Sequence, residues 1–277
     1  LAREVDGESV VVTFDNHPRA VVQGRAPRML TTVPHRLVLL ERVGLDHTVV
    51  LPFTKELMAT PAREFADRVF RDAIGVKGVV LGFDSRFGKG REGDETLLRD
   101  WAAGQDIRIR SAPPVLVSGR PISSSVIRAA IADGDHDRAQ AMLGRPVAVY
   151  GTVVPGSGRG ADLGFATANV DVAGELCPPN GVYAAWACCV GRWHPALVNI
   201  GTRPTFEDED APVLVEVHIP GVEGELYGLE VEVQFIRRLR DERRFPDVDA
   251  LIAQLTEDRA ELDRIVADMH APPEAAS

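Results

Sequence analysis

The chain has 277 residues, 45% of them apolar and 26% charged, with a formal net charge of −10. These are the proportions of a globular protein long enough for two domains. No apolar run approaches the roughly 20 residues a membrane helix needs, and the acidic balance argues against nucleic acid as the main partner. Cys177, Cys188 and Cys189 form no disulfide framework, and without a CxxC pair or a His-x-x-x-His spacing no structural zinc site is expected. The cytoplasm is the expected compartment. A chain that opens at Leu1 and soon enters a strand near Val10 is expected to lack upstream sequence.

In chain order, residues 9–14 form a continuous apolar run of the kind found in buried parallel strands. Leu37, Leu40 and Val43 mark a helix over 34–43, and 47–53 a second strand. After an expected Thr60 cap and Pro61, the apolar residues Phe65, Val69 and Ala73 predict a helix ending at Gly75. Residues 78–83 predict a third strand, 94–103 a helix and 107–110 a short strand. Two helices, 123–132 and 137–143, close this half. Strands alternating with helices imply an α/β domain with a mostly parallel sheet, whose ligands bind at strand carboxyl ends and helix N-termini.

Three polar clusters sit at such places: residues 15–19, residues 84–91 and the serines 123–125, with Arg128 one turn along. Hydroxyls, backbone amides and an arginine at a helix start suit a phosphate, although a plain N-cap explains the serines alone as well. For 84–91, two glycines and three cations weigh evenly against a solvated loop. His17 reads as a loop-packing residue.

Gly144 and Pro146 end the last helix, dividing the chain into 1–144 and 145–277. Beyond them the segments 147–154, 182–190, 193–200, 213–219 and 229–235 are strand-like, a helix is expected over 247–267, and 271–277 reads as a disordered tail. Closely spaced strands and one terminal helix predict a small antiparallel barrel with a helix packed on it.

Between the first two of these strands lies GSGRGADLGFATAN, residues 156–169. Glycine lets a backbone turn tightly and approach a ligand, and Thr167 and Asn169 offer neutral oxygens that a hard cation such as Mg²⁺ accepts. The stretch lacks the Gly-Lys-Ser/Thr ending of a P-loop, and alone it reads as an ordinary turn rather than a phosphate cradle. In 213–219, Val213, Val215, Val217 and Ile219 share one face and Glu216 and His218 the other. Glu216 is free to line a site there, or to be a surface strand glutamate. Residues 199–206 form another glycine-bearing polar turn, equally ambiguous.

Together VVTFDNHPR (11–19), LPFTKEL (51–57), GFDSRFG (82–88), ISSSVIR (122–128), residues 158–169, NGVY (180–183), NIGTRPT (199–205) and VEVH (215–218) resemble the bifunctional bacterial riboflavin kinase/FAD synthetase family, over about residues 10–259. The resemblance implies a Rossmann-like nucleotidyltransferase domain followed by a Greek-key β-barrel riboflavin kinase domain with a C-terminal helix. It implies a kinase that moves the ATP γ-phosphoryl group to riboflavin, giving FMN, and in the full-length parent adenylylation of FMN to FAD. Glu216 would be the general base, and Thr167 and Asn169 would hold Mg²⁺ and phosphate. Gly156, Gly158, Arg159, Gly160 and Gly164 would cover the nucleotide, and Asn199, Thr202 and Arg203 would lie near the flavin. Gly82, Asp84, Ser123, Ser124 and Arg128 would belong to the adenylyltransferase site.

Two departures stand out. Ala166 replaces the family's proline before Thr-Ala-Asn, which keeps the ligands but loosens the turn. The family's first strand and its histidine-bearing phosphate turn are not in the chain, so FAD synthesis by this chain is expected to be poor. Small molecules are the implied partners, with self-association left open. The alternatives are a flavin- or nucleotide-binding module without efficient transfer, and an adenylyltransferase for another small phosphate ester.

Overall fold

The computed structural model describes residues 1–24, 26–156, 165–202, 213–222 and 226–272. The chain divides into two compact units, Leu1–Pro27 with Leu39–Ile122, and Arg28–Val38 with Ser123–Ser277.

The first unit carries β1 (Val10–Phe14), α1 (Pro18–Gln23), the end of α2 (Val33–Arg42), β2 (His47–Leu51), α3 (Lys55–Ala59) and α4 (Ala62–Phe65). α4 continues as π-helical turns over Ala66–Ile74, followed by β3 (Gly78–Gly82), α5 (Glu95–Ala102), β4 (Arg108–Ala112) and a hairpin of β5 (Leu116–Val117) and β6 (Arg120–Pro121). β1 pairs with β2 and β3 with β4, both parallel as the alternation of elements predicts. Beside β3 and β4, Ala66, Val79, Leu98, Trp101 and Ala102 form a buried cluster that Phe70 and Phe87 pack against.

Thr60 does not cap the helix that follows it. Its hydroxyl donates back to the Glu56 carbonyl at 3.0 Å, closing α3, while the Glu92 carboxylate accepts from Ala62 N at 2.8 Å. A carboxylate thirty residues away thus does what the adjacent threonine was expected to do. The helix stops at Gly75, whose φ of 69° is left-handed and easy only for glycine.

The second unit holds α6 (Ser124–Ala132), α7 (His136–Leu143), β7 (Ala148–Val154), β8 (Ala168–Asp171), β9 (Gly181–Cys189), β10 (Arg192–Thr202), β11 (Val213–His218), β12 (Glu230–Arg240) and α8 (Val248–Ala267). The six strands close into an antiparallel barrel in the order β10-β11-β8-β7-β12-β9. β8 had no counterpart in the sequence reading, because glycines and polar residues surround its four positions.

β9 is buried along its whole length. Ala184 joins Leu197 of β10 and Leu262 of α8 in one cluster, while Tyr183 on the opposite face meets Phe235 edge-on at 5.3 Å. A strand covered on both faces reads as an apolar run rather than an alternation, and that is how residues 182–190 read. Cys177, Cys188 and Cys189 are buried, and burial pushes the Cys177 thiol up to about 12.

The segment Arg28–Val38 counts with the barrel because a buried carboxylate holds it there. Glu175, fully buried, accepts from Thr32 N (2.6 Å), Thr32 Oγ1 (2.9 Å) and Tyr150 N (3.0 Å), and its oxygens lie 3.0 Å from His35 Nδ1. The His35 ring stacks on Tyr150 at 5.7 Å, and Leu176 N donates to the Met29 carbonyl at 2.8 Å.

Candidate functional site

The alternation of β11 has the consequence its sequence predicts. Val215 and Val217 are buried, and Glu216 faces the other way. Register then decides what stands beside it. Glu216 pairs with Asn169 of β8 on one side and Asn199 of β10 on the other, and Asn199 pairs with Val182 of β9. Directly opposed residues of antiparallel strands share a face, so Asn169, Glu216 and Asn199 form a row across three strands.

The outer face of β9 and β10 is packed by α8. Two members of the row, Glu216 and Asn199, border a cavity of about 430 Å³. Thr167, Asn199 and Glu216 line it together with Phe165, His218, Arg240, Glu242, Arg243, Phe245, Leu251, Leu255 and Asp258. Its walls are mixed: the strands present Glu216, His218 and Asn199 beside Val182, Leu197 and Val198, and α8 presents Leu251 and Leu255 beside Asp258.

Several contacts fix these side chains. Asn199 Nδ2 donates to Glu242 Oε1 at 3.2 Å and lies 3.5 Å from Glu216 Oε2. His218 Nδ1 is 2.8 Å from the Ala166 carbonyl, and because a carbonyl only accepts, the ring proton sits on Nδ1. Phe165 tilts over the same ring at 5.2 Å. At the position where the family's proline is replaced, the backbone is therefore held by a hydrogen bond. Asp258, 4% exposed, takes both Nε (3.0 Å) and Nη2 (2.8 Å) of Arg240 on Oδ2, and Gln254 Nε2 donates to its Oδ1 at 2.8 Å. A forked arginine–carboxylate pair fixes orientation as well as charge.

Asn169 is 9% exposed, and a Cβ built on Gly156 would overlap its amide. That glycine is explained by close approach, since its φ is not left-handed. Thr167 and Asn169, two residues apart in extended chain, supply neutral oxygens of the kind a hard cation accepts. No cluster of three or more His, Cys, Asp or Glu suited to a metal occurs among the described residues.

A family model described as riboflavin kinase matches residues 143–266, and one described as FAD synthetase matches residues 1–126. The bifunctional riboflavin kinase/FMN adenylyltransferase of Escherichia coli strain K12 is 34% identical over 251 residues, 90% of this chain and 80% of that protein. The chain belongs to this family. The enzyme of the same name from Pseudomonas fluorescens is 34% identical over 265 residues, 94% of this chain and 83% of that protein. A crystal structure described as a macrolide-efflux protein from Streptococcus pneumoniae superposes with a TM-score of 0.77 at 30% identity, over 94% of this chain and 84% of that one. Among the described residues of the present chain, no helix is long and apolar enough to cross a membrane.

Of the residues the family resemblance assigns to the kinase, the fold gathers Thr167, Asn169, Asn199 and Glu216, with Gly156 against Asn169. Thr202 is the exposed last residue of β10. Gly158, Arg159, Gly160, Gly164 and Arg203 lie outside the described residues.

The adenylyltransferase set falls in two units. In the first, Gly82 ends β3, and a Cβ there would come 2.8 Å from Ser85 Oγ. Asp84 is exposed in the turn that follows. The loop behind it is anchored: Phe87 packs on Phe65 and Phe70, and left-handed Gly88 presses against Ala62. Its cations Arg86, Lys89 and Arg91 stay exposed. In the second unit, Ser123 caps α6 by accepting from Val126 N at 3.4 Å, Ser124 opens the helix, and Arg128 Nε donates to the Arg28 carbonyl at 2.9 Å.

Sequence reasoning missed Glu242, Arg240 and Asp258, which reach the cavity through long-range pairing that leaves no local pattern. His218 had a signal, since alternation put it on the face of Glu216. Leu251 and Leu255 were legible as a helical stripe, but not as a cavity wall.

Proposed function

We propose that the chain phosphorylates riboflavin to FMN at the cavity beside β11, and that its FAD synthetase part serves adenylylation of FMN to FAD with release of pyrophosphate. The observation that carries the kinase reading is the row Asn169–Glu216–Asn199, of which Glu216 and Asn199 line that cavity together with Thr167.

In this reading Glu216 accepts the proton of the ribityl 5′-hydroxyl. The freed oxygen attacks the γ-phosphorus of ATP, the bond to the β-phosphate oxygen breaks, and ADP leaves. Phosphoryl transfer asks the protein mainly for positioning and charge stabilisation, and a positioned carboxylate base adds about 10²–10⁴-fold. Thr167 and Asn169 would hold Mg²⁺, which when bound offsets charge on the ATP phosphates. The stretch bearing Gly156, Gly158, Arg159, Gly160 and Gly164 would cover the nucleotide, and Asn199, Thr202 and Arg203 would lie towards the flavin. Gly82, Asp84, Ser123, Ser124 and Arg128 would serve the adenylyl transfer.

The functional division is proposed at residues 1–144 and 145–277. The compartment is proposed as the cytoplasm and the partners as small molecules rather than nucleic acid, in keeping with the net charge of −10. Self-association is compatible with this reading and is checked by mass in solution.

Incubation with riboflavin, ATP and Mg²⁺ should yield FMN, resolved by chromatography. Glu216→Gln should reduce kcat about 10²–10⁴-fold. A variant that keeps the wild-type kcat removes Glu216 from the role of base.

A further inference from the structure

Glu242 has no part in the reaction as just described, yet its carboxylate stands in the cavity beside Glu216. The link between them is Asn199. One amide hydrogen reaches Glu242 Oε1 at 3.2 Å, and the same nitrogen lies 3.5 Å from Glu216 Oε2. With a carboxylate oxygen as acceptor on each side, the donor end of the amide is the end that faces them. Asn199 therefore has one orientation, and Glu242 anchors it.

A second observation shows that room is kept for Glu242. Gly201 lies two residues beyond Asn199 in β10, and a Cβ built there would fall 2.5 Å from Glu242 Oε1. Its φ is not left-handed, so the backbone makes no demand for glycine. Glycine inside a strand weakens it and often marks a site where another group comes close. Here that group is the Glu242 carboxylate.

The chain around Glu242 is pinned as well. Arg240 is locked onto Asp258, its Nη1 donates to the Asp241 carbonyl at 3.1 Å, and the Arg243 guanidinium lies 4.8 Å from the centre of the Phe245 ring.

We propose that Glu242 is a positioning residue for phosphoryl transfer. It fixes the Asn199 amide, which in turn holds the Glu216 carboxylate facing the cavity. The inference rests on the reading of Glu216 as the base.

The test uses Glu242→Leu, which keeps volume but removes the acceptor, Glu242→Gln, whose carbonyl oxygen still accepts, and Gly201→Ala, whose Cβ displaces the carboxylate while Glu242 itself is unchanged. Glu242→Leu and Gly201→Ala should lower kcat for FMN formation about tenfold, with both KM values within about twofold, the signature of an interaction made in the transition state. Glu242→Gln should retain most of the activity. In the Glu216→Gln background, Glu242→Leu should cause little further loss, because residues acting as one unit are not additive.

The proposal is overturned if Glu242→Leu keeps kcat within about twofold of wild type. Equal losses in Glu242→Gln and Glu242→Leu, or full additivity with Glu216→Gln, overturn it too. A fall in Tm with both KM values altered would make Glu242 merely structural. Those outcomes, with FMN made by wild type and lost in Glu216→Gln, remove this inference alone. No FMN from wild type removes the kinase reading and this inference with it.

Discussion

The two compact units place their charges differently. In the first, the ion pairs Glu64–Arg68, Glu95–Arg99 and Glu4–Arg110 all lie at the surface, with side chains 37–68% exposed. The second has exposed pairs too, such as Arg259–Asp263, but in it Glu175 is fully buried among Thr32, His35 and Tyr150, and Asp258 is buried against Arg240 and Gln254. A surface pair stabilises by about 0–1 kcal/mol. Removing one partner of a buried set leaves the rest desolvated and unmatched, at a cost of several kcal/mol. The lesson is that in the barrel unit polar groups are part of the scaffold, and the cavity row uses groups of the same kind. In the first unit polar groups mostly solvate, and apolar and aromatic packing carries the structure.

The strongest test of that contrast is Glu175→Ala. It strands Thr32 N, Thr32 Oγ1, Tyr150 N and His35 Nδ1 without their common acceptor, and should lower stability by about 3–5 kcal/mol. The loss should appear in the barrel transition of a denaturant or calorimetric unfolding curve. A loss below about 1 kcal/mol would mean that the buried carboxylate is not part of the scaffold.

Next comes Gly156→Ala, which asks whether tight placement extends to the ligand residues. The backbone there accepts alanine, so any effect acts by pushing the Asn169 amide aside. Displacing a ligand by about 1 Å can cost on the order of a hundredfold. That is the expected fall in kcat/KM for ATP, with the melting temperature little changed. Unaltered kinetics would remove Asn169 from the set holding metal and phosphate.

How much of this was legible depends on the range of the interactions. Most elements were, because strand alternation and helix caps are local: Asp94, Ser123 and Asp247 cap the helices they precede. Glu216 was legible as a residue facing away from the valines, and Thr167 and Asn169 as a pair of oxygens. Their meeting was not, because the register of β8, β10 and β11 joins Glu216 to Asn169, 47 residues away, with no local pattern shared between them. Glu242 and Gly201 are the extreme case. A strand glycine looks like a weak point until the carboxylate that fills its space is known.

His136 extends the contrast to protonation. Neither ring nitrogen has a hydrogen-bond partner among the described residues, the ring packs edge-on against Tyr183 at 5.7 Å, and burial lowers its pKa. Above its ordinary value of 6.5 the ring is neutral in folded and unfolded chains alike, and stability is unaffected by it. As pH falls below that value, the unfolded chain takes up a proton that the folded chain resists. Stability then falls, by at most about 1.4 kcal/mol per pH unit for one proton. His136→Phe should remove that component, read as a shallower loss of stability between about pH 6.5 and 5. An unchanged slope would show the ring to be free to protonate in the fold.

The smallest effect belongs to the first unit. Glu64 and Arg68 stand four residues apart at 3.3 Å, 52% and 68% exposed. Arg68→Met keeps the aliphatic stem and removes only the charge, so the loss should be about 0.3–0.5 kcal/mol. It should vanish in about 1 M salt, where screening acts within roughly 3 Å. The check is the shift in denaturation midpoint at low and high salt with the slope held constant. A loss above about 1 kcal/mol that survives the salt would give an exposed pair of the first unit the weight of a buried one, and the contrast between the two units would fail at that point.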